Sequence, residues 1–468
     1  MNYVTNILCE FALSLDYNSL SEETVIQTKK FITDYFASSL AGFSVNRTFN
    51  DAVLNTVQSL GGNPQSSVLL EKNKYPAPAA AFVNASYAHG ADLDDGNRMS
   101  AGHIGTHVIS SVFALAEQRN LCWKDVIAAI NVGYDFFNRI GGSAQPDLYN
   151  KGFHSTGVVG SIASGAACAR LLKLNKKSIY DSISIAAIQS GGLIIIDESG
   201  QSCKPINPAN AAKTGVFSAL LAEQGIDSPQ YPLESGKGWY HAFTDNVKEN
   251  YITRELGHTF TINQSYLKIY PSCRHTHSAI DAVLELRKKF TFSKNFDVKS
   301  IKKINVYIYP NAIKSAGNIV LPKNRDEAKF SIAFSVSVAL FKGIFTLEDL
   351  ELSNISPEIK YLAESVRLIP DRTMENPEKG IRGAQVEIVL QNHVSLKQTV
   401  LIPKGEGNNP LTWEDLERKL FECAKPLTQQ YRAKKLLDFC KTIDPDKNFT
   451  YPGFILLKQT RSDALTCG

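Results

Sequence analysis

The stretch His89–His107, HGADLDDGNRMSAGHIGTH, holds three of the chain's nine histidines and three carboxylates, Asp92, Asp94 and Asp95. Imidazoles and carboxylates gathered in one loop can take and return protons near neutral pH. Three distant segments carry groups that complement them: His154 in KGFHSTG, Lys204 in KPINP, and Lys268, Arg274, His275 and His277 in KIYPSCRHTH. Six of the nine histidines therefore fall in three short segments, which suggests convergence on one site. The second, third and fourth segments each lead into a helical pattern. A helix N-terminus offers free N–H groups and a partial positive charge, so it favours anions. Lys204, Lys268 and Arg274 add cations, and an arginine can grip a carboxylate with two parallel hydrogen bonds. The combination suits proton abstraction alpha to a carboxylate, which needs a base and cations to hold the developing negative charge.

A metal reading competes. His103 and His107 stand four apart, so a helix through both would put them on one face with carboxylates nearby, as in a two-histidine, one-aspartate zinc site. Gly102 and Gly105 speak against such a helix, and the expectation is no metal.

The elements that must position these groups read as helices in series. Ser19-Leu20-Ser21-Glu22 reads as a capping box for a helix running to about Gly42. Further helical stretches lie near 50–60, 77–90, 106–119, 124–140, 156–173, 178–190 and 208–224. Several are rich in Ala, Gly and Ser, which allows close helix–helix approach. No clear strand precedes about residue 250. After it, IKKINVYIY alternates as a strand, AKFSIAFSVSVALFKG reads as a buried helix, and VEIVL-QNHVS-LKQTVLI reads as a hairpin turning near Asn392. From Thr412 the helical pattern returns. The expected fold is mainly α with an α+β part: a helical-bundle domain formed by both termini, residues 1–267 and 404–468, with an inserted α+β lid domain, residues 268–403.

Composition sets the limits. The chain has 468 residues, 43% hydrophobic and 21% charged, with a net charge of +4. Its lysines and arginines are scattered, so no nucleic-acid partner is indicated. Eight cysteines at irregular spacing, without a CxxC pair, fit free buried thiols in a reducing cytoplasm better than a disulfide or metal framework. No signal peptide is visible, and apolar runs stop short of the ~18 residues of a membrane span.

HGADLDDGN…GH, GFHSTGVVGSIASGAA, KPINPANAAKTGVFSALLAEQG, LKIYPSCRHTHSAIDAV and EAKFSIAFSVSVALFKG lie in order across most of the chain. In this series the chain resembles the MmgE/PrpD family, which includes 2-methylcitrate dehydratase, cis-aconitate decarboxylase and iminodisuccinate epimerase. The resemblance implies a helical domain with an inserted α+β lid, a homodimer, and no metal or organic cofactor. It implies an active site lined by Asp92, His103, His154, Lys204 and Lys268. The family's usual loop has a threonine after the paired aspartates, where this chain has Gly96. Asn97 or Arg98 is the expected replacement as a substrate partner, with Arg274 and His277 as further substrate-binding candidates. By type alone, Lys204 and Lys268 are ordinary solvated lysines; the motifs around them single them out. Cys273 reads as a small buried residue.

The expected function is a cofactor-independent lyase, a dehydratase or decarboxylase, acting on a small di- or tricarboxylate such as 2-methylcitrate or cis-aconitate. The alternative is an isomerase or epimerase of a dicarboxylate such as iminodisuccinate, using the same site. A protein that only binds a carboxylate or a partner is the non-enzymatic possibility. The expected location is cytoplasmic.

Overall fold

A computed structural model describes residues 3–195, 202–289, 297–352, 355–376 and 379–457. The chain is mainly helical with a smaller α+β part, as its periodicity predicts. It divides into two compact units, residues 1–267 with 413–468, and residues 268–412.

The first unit is built around the helix Glu22–Val45, which is buried almost all round from Phe31 to Phe43. Ser21 caps it: its Oγ accepts the Thr24 N–H, with Glu22 and Glu23 in the first turn. Ser19, expected to open the capping box, instead pairs with Asp16 one turn earlier. The helix Ala77–His89 crosses this one at Gly42, where a Cβ would fall 1.9 Å from the Tyr87 carbonyl oxygen. The helices Gly105–Arg119, Trp123–Ala144, Ser155–Leu171, Lys176–Ile188 and Ile206–Glu223 complete the bundle's first part. The last packs on Ser155–Leu171 so tightly that a Cβ on Gly215 would lie 2.2 Å from Ser164 Cβ. The C-terminal helices Trp413–Ala424 and Gln430–Lys441 return to cover Glu22–Val45. One pairing departs from expectation: Ser66–Ser67 and Lys74–Tyr75 form a two-residue antiparallel ribbon, too short for a period-2 pattern to show.

The second unit holds a four-stranded sheet in the order Val366–Pro370, Ile301–Ile308, Ala384–Leu390, Ser395–Val400. The first pair is parallel and the others antiparallel. Ile304, Val306 and Ile308 share a buried face with Val386 and Ile388; the helix His277–Lys289 packs on the sheet, and Ile332–Lys342 packs on that helix. The expected buried helix over AKFSIAFSVSVALFKG is split, because Ser331 caps a new helix through the Phe334 N–H. It ends at Gly343 in the left-handed region. The hairpin turns through residues 391–394, with His393 at φ 65° and the Asn392 side chain accepting the Val394 N–H.

The seven described cysteines form no disulfide with one another; four of them are buried, while Cys203 is exposed, and Cys467 lies outside the described residues. Cys273 is half-buried. Among the described residues no helix is long and apolar enough to cross a membrane.

Candidate active site

The His89–His107 stretch is a tied-down connection between two buried helices. His89 is the last residue of Ala77–His89, and Gly105 opens the next helix. Between them Asp92 takes a left-handed backbone, φ 54°, which a non-glycine residue keeps only where its surroundings hold it. The Leu93 carbonyl accepts from Lys419 Nζ at 2.8 Å and Ser38 Oγ at 3.1 Å. Gly96 pairs through both backbone groups with Tyr266, and a Cβ there would meet the Tyr266 hydroxyl. Asn97 Oδ1 accepts the Met99 and Ser100 N–H groups, folding the loop back on itself. Its amide therefore shapes the loop, while Arg98 is half-buried beside it.

The three aspartates have different partners. Asp95 Oδ1 accepts the Gly105 N–H at the helix start, and its Oδ2 accepts the Tyr134 hydroxyl at 2.8 Å. Burial, then the charge of Asp94, pushes Asp95 up to about 8, so it is protonated at neutral pH. Asp94 Oδ2 lies 2.7 Å from His89 Nδ1 and 3.5 Å from His103 Nδ1. Asp92 Oδ1 lies 3.9 Å from His103 Nε2 and 3.7 Å from Lys204 Nζ.

The rings of His89 and His103 meet edge to face at 4.9 Å, and His89 lies 5.9 Å from His154. His103 Nδ1 is 2.7 Å from the Asp95 carbonyl oxygen. That oxygen only accepts, so Nδ1 carries the proton and neutral His103 presents a lone pair at Nε2. Burial, then nearby Lys204, holds His154 well below the usual imidazole range. Side-chain exposure falls from 22% at Lys204, 13% at His103 and 12% at Asp92 to nothing at His89. The first three are thus the groups a solute meets first, with His89 and Asp94 behind them. Sequence reasoning placed His89 in the histidine cluster without giving it or Asp94 a role; their pairing rests on a helix C-terminus folding onto the following loop.

His107 is not part of this cluster. It bonds Ser164 through Nδ1, packs on Phe137 and Gly160, and burial pushes it down to about 3. The helix begins only at Gly105, so His103 and His107 do not share a helix face. Among the described residues, the set with metal-ligand spacing is instead His89, Asp94 and His103, with ligand atoms within 4.8 Å of one another. In both rings Nδ1 is already hydrogen-bonded.

Four expected site residues, Asp92, His103, His154 and Lys204, come together in the first unit. Lys268, Arg274 and His277 belong to the second, where Lys268 is buried. Arg274 donates through Nε and Nη2 to Glu406 and through Nη1 to the Lys404 carbonyl. His277 accepts from Arg274 Nη1 at Nδ1 and faces the Ser272 carbonyl with Nε2. Arg274 thus braces the segment around Lys404–Glu406, and His277 bonds Arg274.

Comparison with known proteins gives a consistent picture. The family model for the MmgE/PrpD N-terminal domain matches residues 6–251, and that for the MmgE/PrpD C-terminal domain matches residues 270–444. Cis-aconitate decarboxylase of Aspergillus terreus is 27% identical over 467 residues, covering 94% of this chain and 93% of that protein. The human cis-aconitate decarboxylase is 24% identical, covering 92% and 89%. The cis-aconitate decarboxylase-like protein oryM of Aspergillus oryzae is 22% identical, covering 92% and 93%.

Proposed function

The chain belongs to the MmgE/PrpD family, and we propose that it is a cofactor-independent lyase acting on a small di- or tricarboxylate. Cis-aconitate is the first substrate to test, because the similar proteins above are named for its decarboxylation. The observation that carries the reading is His103 Nε2, its tautomer set by the Asp95 carbonyl, facing Asp92 beside Lys204. In a decarboxylation the bond to one carboxylate breaks, CO2 leaves, and the electron pair left on the chain takes a proton at carbon. In a dehydration a base takes the proton alpha to a carboxylate and the hydroxyl leaves as water. In a dehydration neutral His103 takes that proton at Nε2 and passes it to the departing hydroxyl, which completes the water; in a decarboxylation His103 first takes a proton from solvent at Nε2 and then gives it to carbon. Lys204 pairs with a substrate carboxylate, and Asp92 orients His103 and stabilises its charged form.

A second reading has one observation in its favour. Gly96 lacks the hydroxyl of the threonine usual in the family's loop, and the Tyr266 hydroxyl lies where that side chain would be. Exchanging the loop's threonine for a tyrosine from another segment changes the partner a departing hydroxyl would have, which suits an isomerase or epimerase that moves the proton and expels nothing.

NMR of the enzyme with cis-aconitate, 2-methylcitrate, citrate and iminodisuccinate in deuterated water separates these outcomes. We expect loss of CO2 or of water from one of the tricarboxylates. Deuterium exchange without net loss would replace the lyase by the isomerase, and no change in any substrate would sink both. His103→Gln should lower turnover by roughly 10²–10⁴-fold, the range for losing a general acid–base group. Lys268→Ala should also abolish turnover; full activity in either variant would remove that residue from the reaction.

A further inference from the structure

His154 and His103 sit in one cluster but face opposite kinds of partner. Asn207, on the first turn of Ile206–Glu223, places Nδ2 at 3.0 Å from the Leu193 carbonyl oxygen and 3.0 Å from His154 Nδ1. A carbonyl oxygen only accepts, so the atom facing it is the amide nitrogen; this fixes which way the Asn207 amide points. That nitrogen has two hydrogens. One goes to Leu193, and the other goes to His154 Nδ1, which must accept it with a lone pair.

We propose that Asn207 is a positioning residue that holds His154 in the tautomer with its proton on Nε2, so that His154 is the neutral hydrogen-bond donor of the site and His103 its base. The proposal rests on reading the cluster as a proton-transfer site. His103 is held the other way, Nδ1–H toward the Asp95 carbonyl and the lone pair at Nε2. Among the described residues His154 Nε2 has no hydrogen-bond partner, so its N–H is available to a bound oxygen. When a base takes the proton alpha to a carboxylate, the electron pair moves onto the carboxylate oxygens. A neutral N–H pointed at such an oxygen stabilises that charge without giving up its proton. Burial and the charge of Lys204 keep His154 from becoming an imidazolium.

The packing around Asn207 leaves the amide little freedom. A Cβ on Gly157 would lie 3.2 Å from Asn207 Cβ, and one on Gly192 would lie 3.2 Å from Asn207 Cγ. The His154 backbone is tied to the same wall, its N–H donating to the Gly192 carbonyl. Two glycines therefore form the slot in which the amide meets the ring.

The test is the tautomer of each imidazole, read from long-range proton–nitrogen correlations of enzyme labelled with 15N-histidine, with His154→Gln and His103→Gln assigning the signals. At neutral pH His154 should carry its proton on Nε2 and His103 on Nδ1. Asn207→Asp, the same size but an acceptor, should move the His154 proton to Nδ1. Where a substrate turns over, it should also lower kcat by on the order of 10²-fold or more, as a wrong tautomer does, with little change in KM. The proposal is overturned if wild-type His154 is Nδ1-protonated or doubly protonated, if the Asp variant leaves the tautomer unchanged, or if it shifts the tautomer with kcat intact. The tautomer readout needs no substrate. It therefore decides the tautomer even if none of the carboxylates reacts, a result that would count against the lyase and isomerase readings.

Discussion

Asp95 is buried between the Tyr134 hydroxyl and the Gly105 N–H, beside the charge of Asp94, and its carboxyl is raised to about 8. A carboxyl whose folded pKa lies above its unfolded value of about 3.9 favours the fold while protonated. Its contribution is full below about pH 4 and is lost as pH rises toward 8, because the unfolded chain releases the proton first. Asp95→Asn has no proton to lose, keeps an acceptor for Gly105, and lets the Tyr134 hydroxyl turn. Its urea-unfolding free energy should therefore fall less steeply between pH 5 and 8 than that of the wild type. An unchanged slope would mean that Asp95 is ionised in the fold. The sequence singled out this loop but could not sort its aspartates. Asp92, Asp94 and Asp95 are the same residue type one or two positions apart, and only the left-handed turn at Asp92 sends them to different partners. Asn207 was equally hidden. It stood in the Lys204 segment, yet nothing in its spacing linked it to His154.

Helices and strands were legible where periodicity is long, as in Gly105–Arg119 or the Ile301–Ile308 strand, and boundaries missed where a cap decided them, as at Ser331. What periodicity does not carry is the side chain that pins one element to another. Lys419 on Trp413–Ala424 reaches Asp34 on Glu22–Val45 at 2.5 Å and the Leu93 carbonyl at 2.8 Å, with both ionic groups buried. This helix thus fixes the loop one residue after Asp92 and one before Asp94. Removing one partner of a buried ion pair leaves an uncompensated charge, at a cost of about 3–5 kcal/mol. Lys419→Met should lose about that much stability in chemical denaturation. Adding Asp34→Asn should recover most of it, since the orphaned charge is then gone. If the single variant stays within about 1 kcal/mol of the wild type, the pair does not hold the loop.

At the scale of the whole molecule, the second unit has a core of its own. Ile304, Val306, Ile308, Val386 and Ile388 share one buried core with Ile280, Val283, Ile332 and Val336. The Ile301–Ile308 strand is hydrogen-bonded on both sides by strands of the same unit. The change in composition near residue 268 was readable, but its other end was not, because residues 404–412 have no periodicity. Those residues are tied to the second unit by contacts invisible in the sequence: Arg274 to Glu406 and to the Lys404 carbonyl, and Asp281 to the Lys404 N–H at 2.7 Å. A fragment of residues 268–412 should therefore fold alone, with mixed α/β circular dichroism and one cooperative thermal transition. A fragment stopped at residue 403 should lose the Glu406 and Lys404 partners of Arg274 and the Lys404 N–H on Asp281, and melt lower. The complementary truncation, a chain ending at residue 412, should fail to fold its helical part, because it lacks Lys419 and leaves Asp34 buried without it. Equal melting of the 268–403 and 268–412 fragments would show that the Arg274 brace contributes nothing to the second unit.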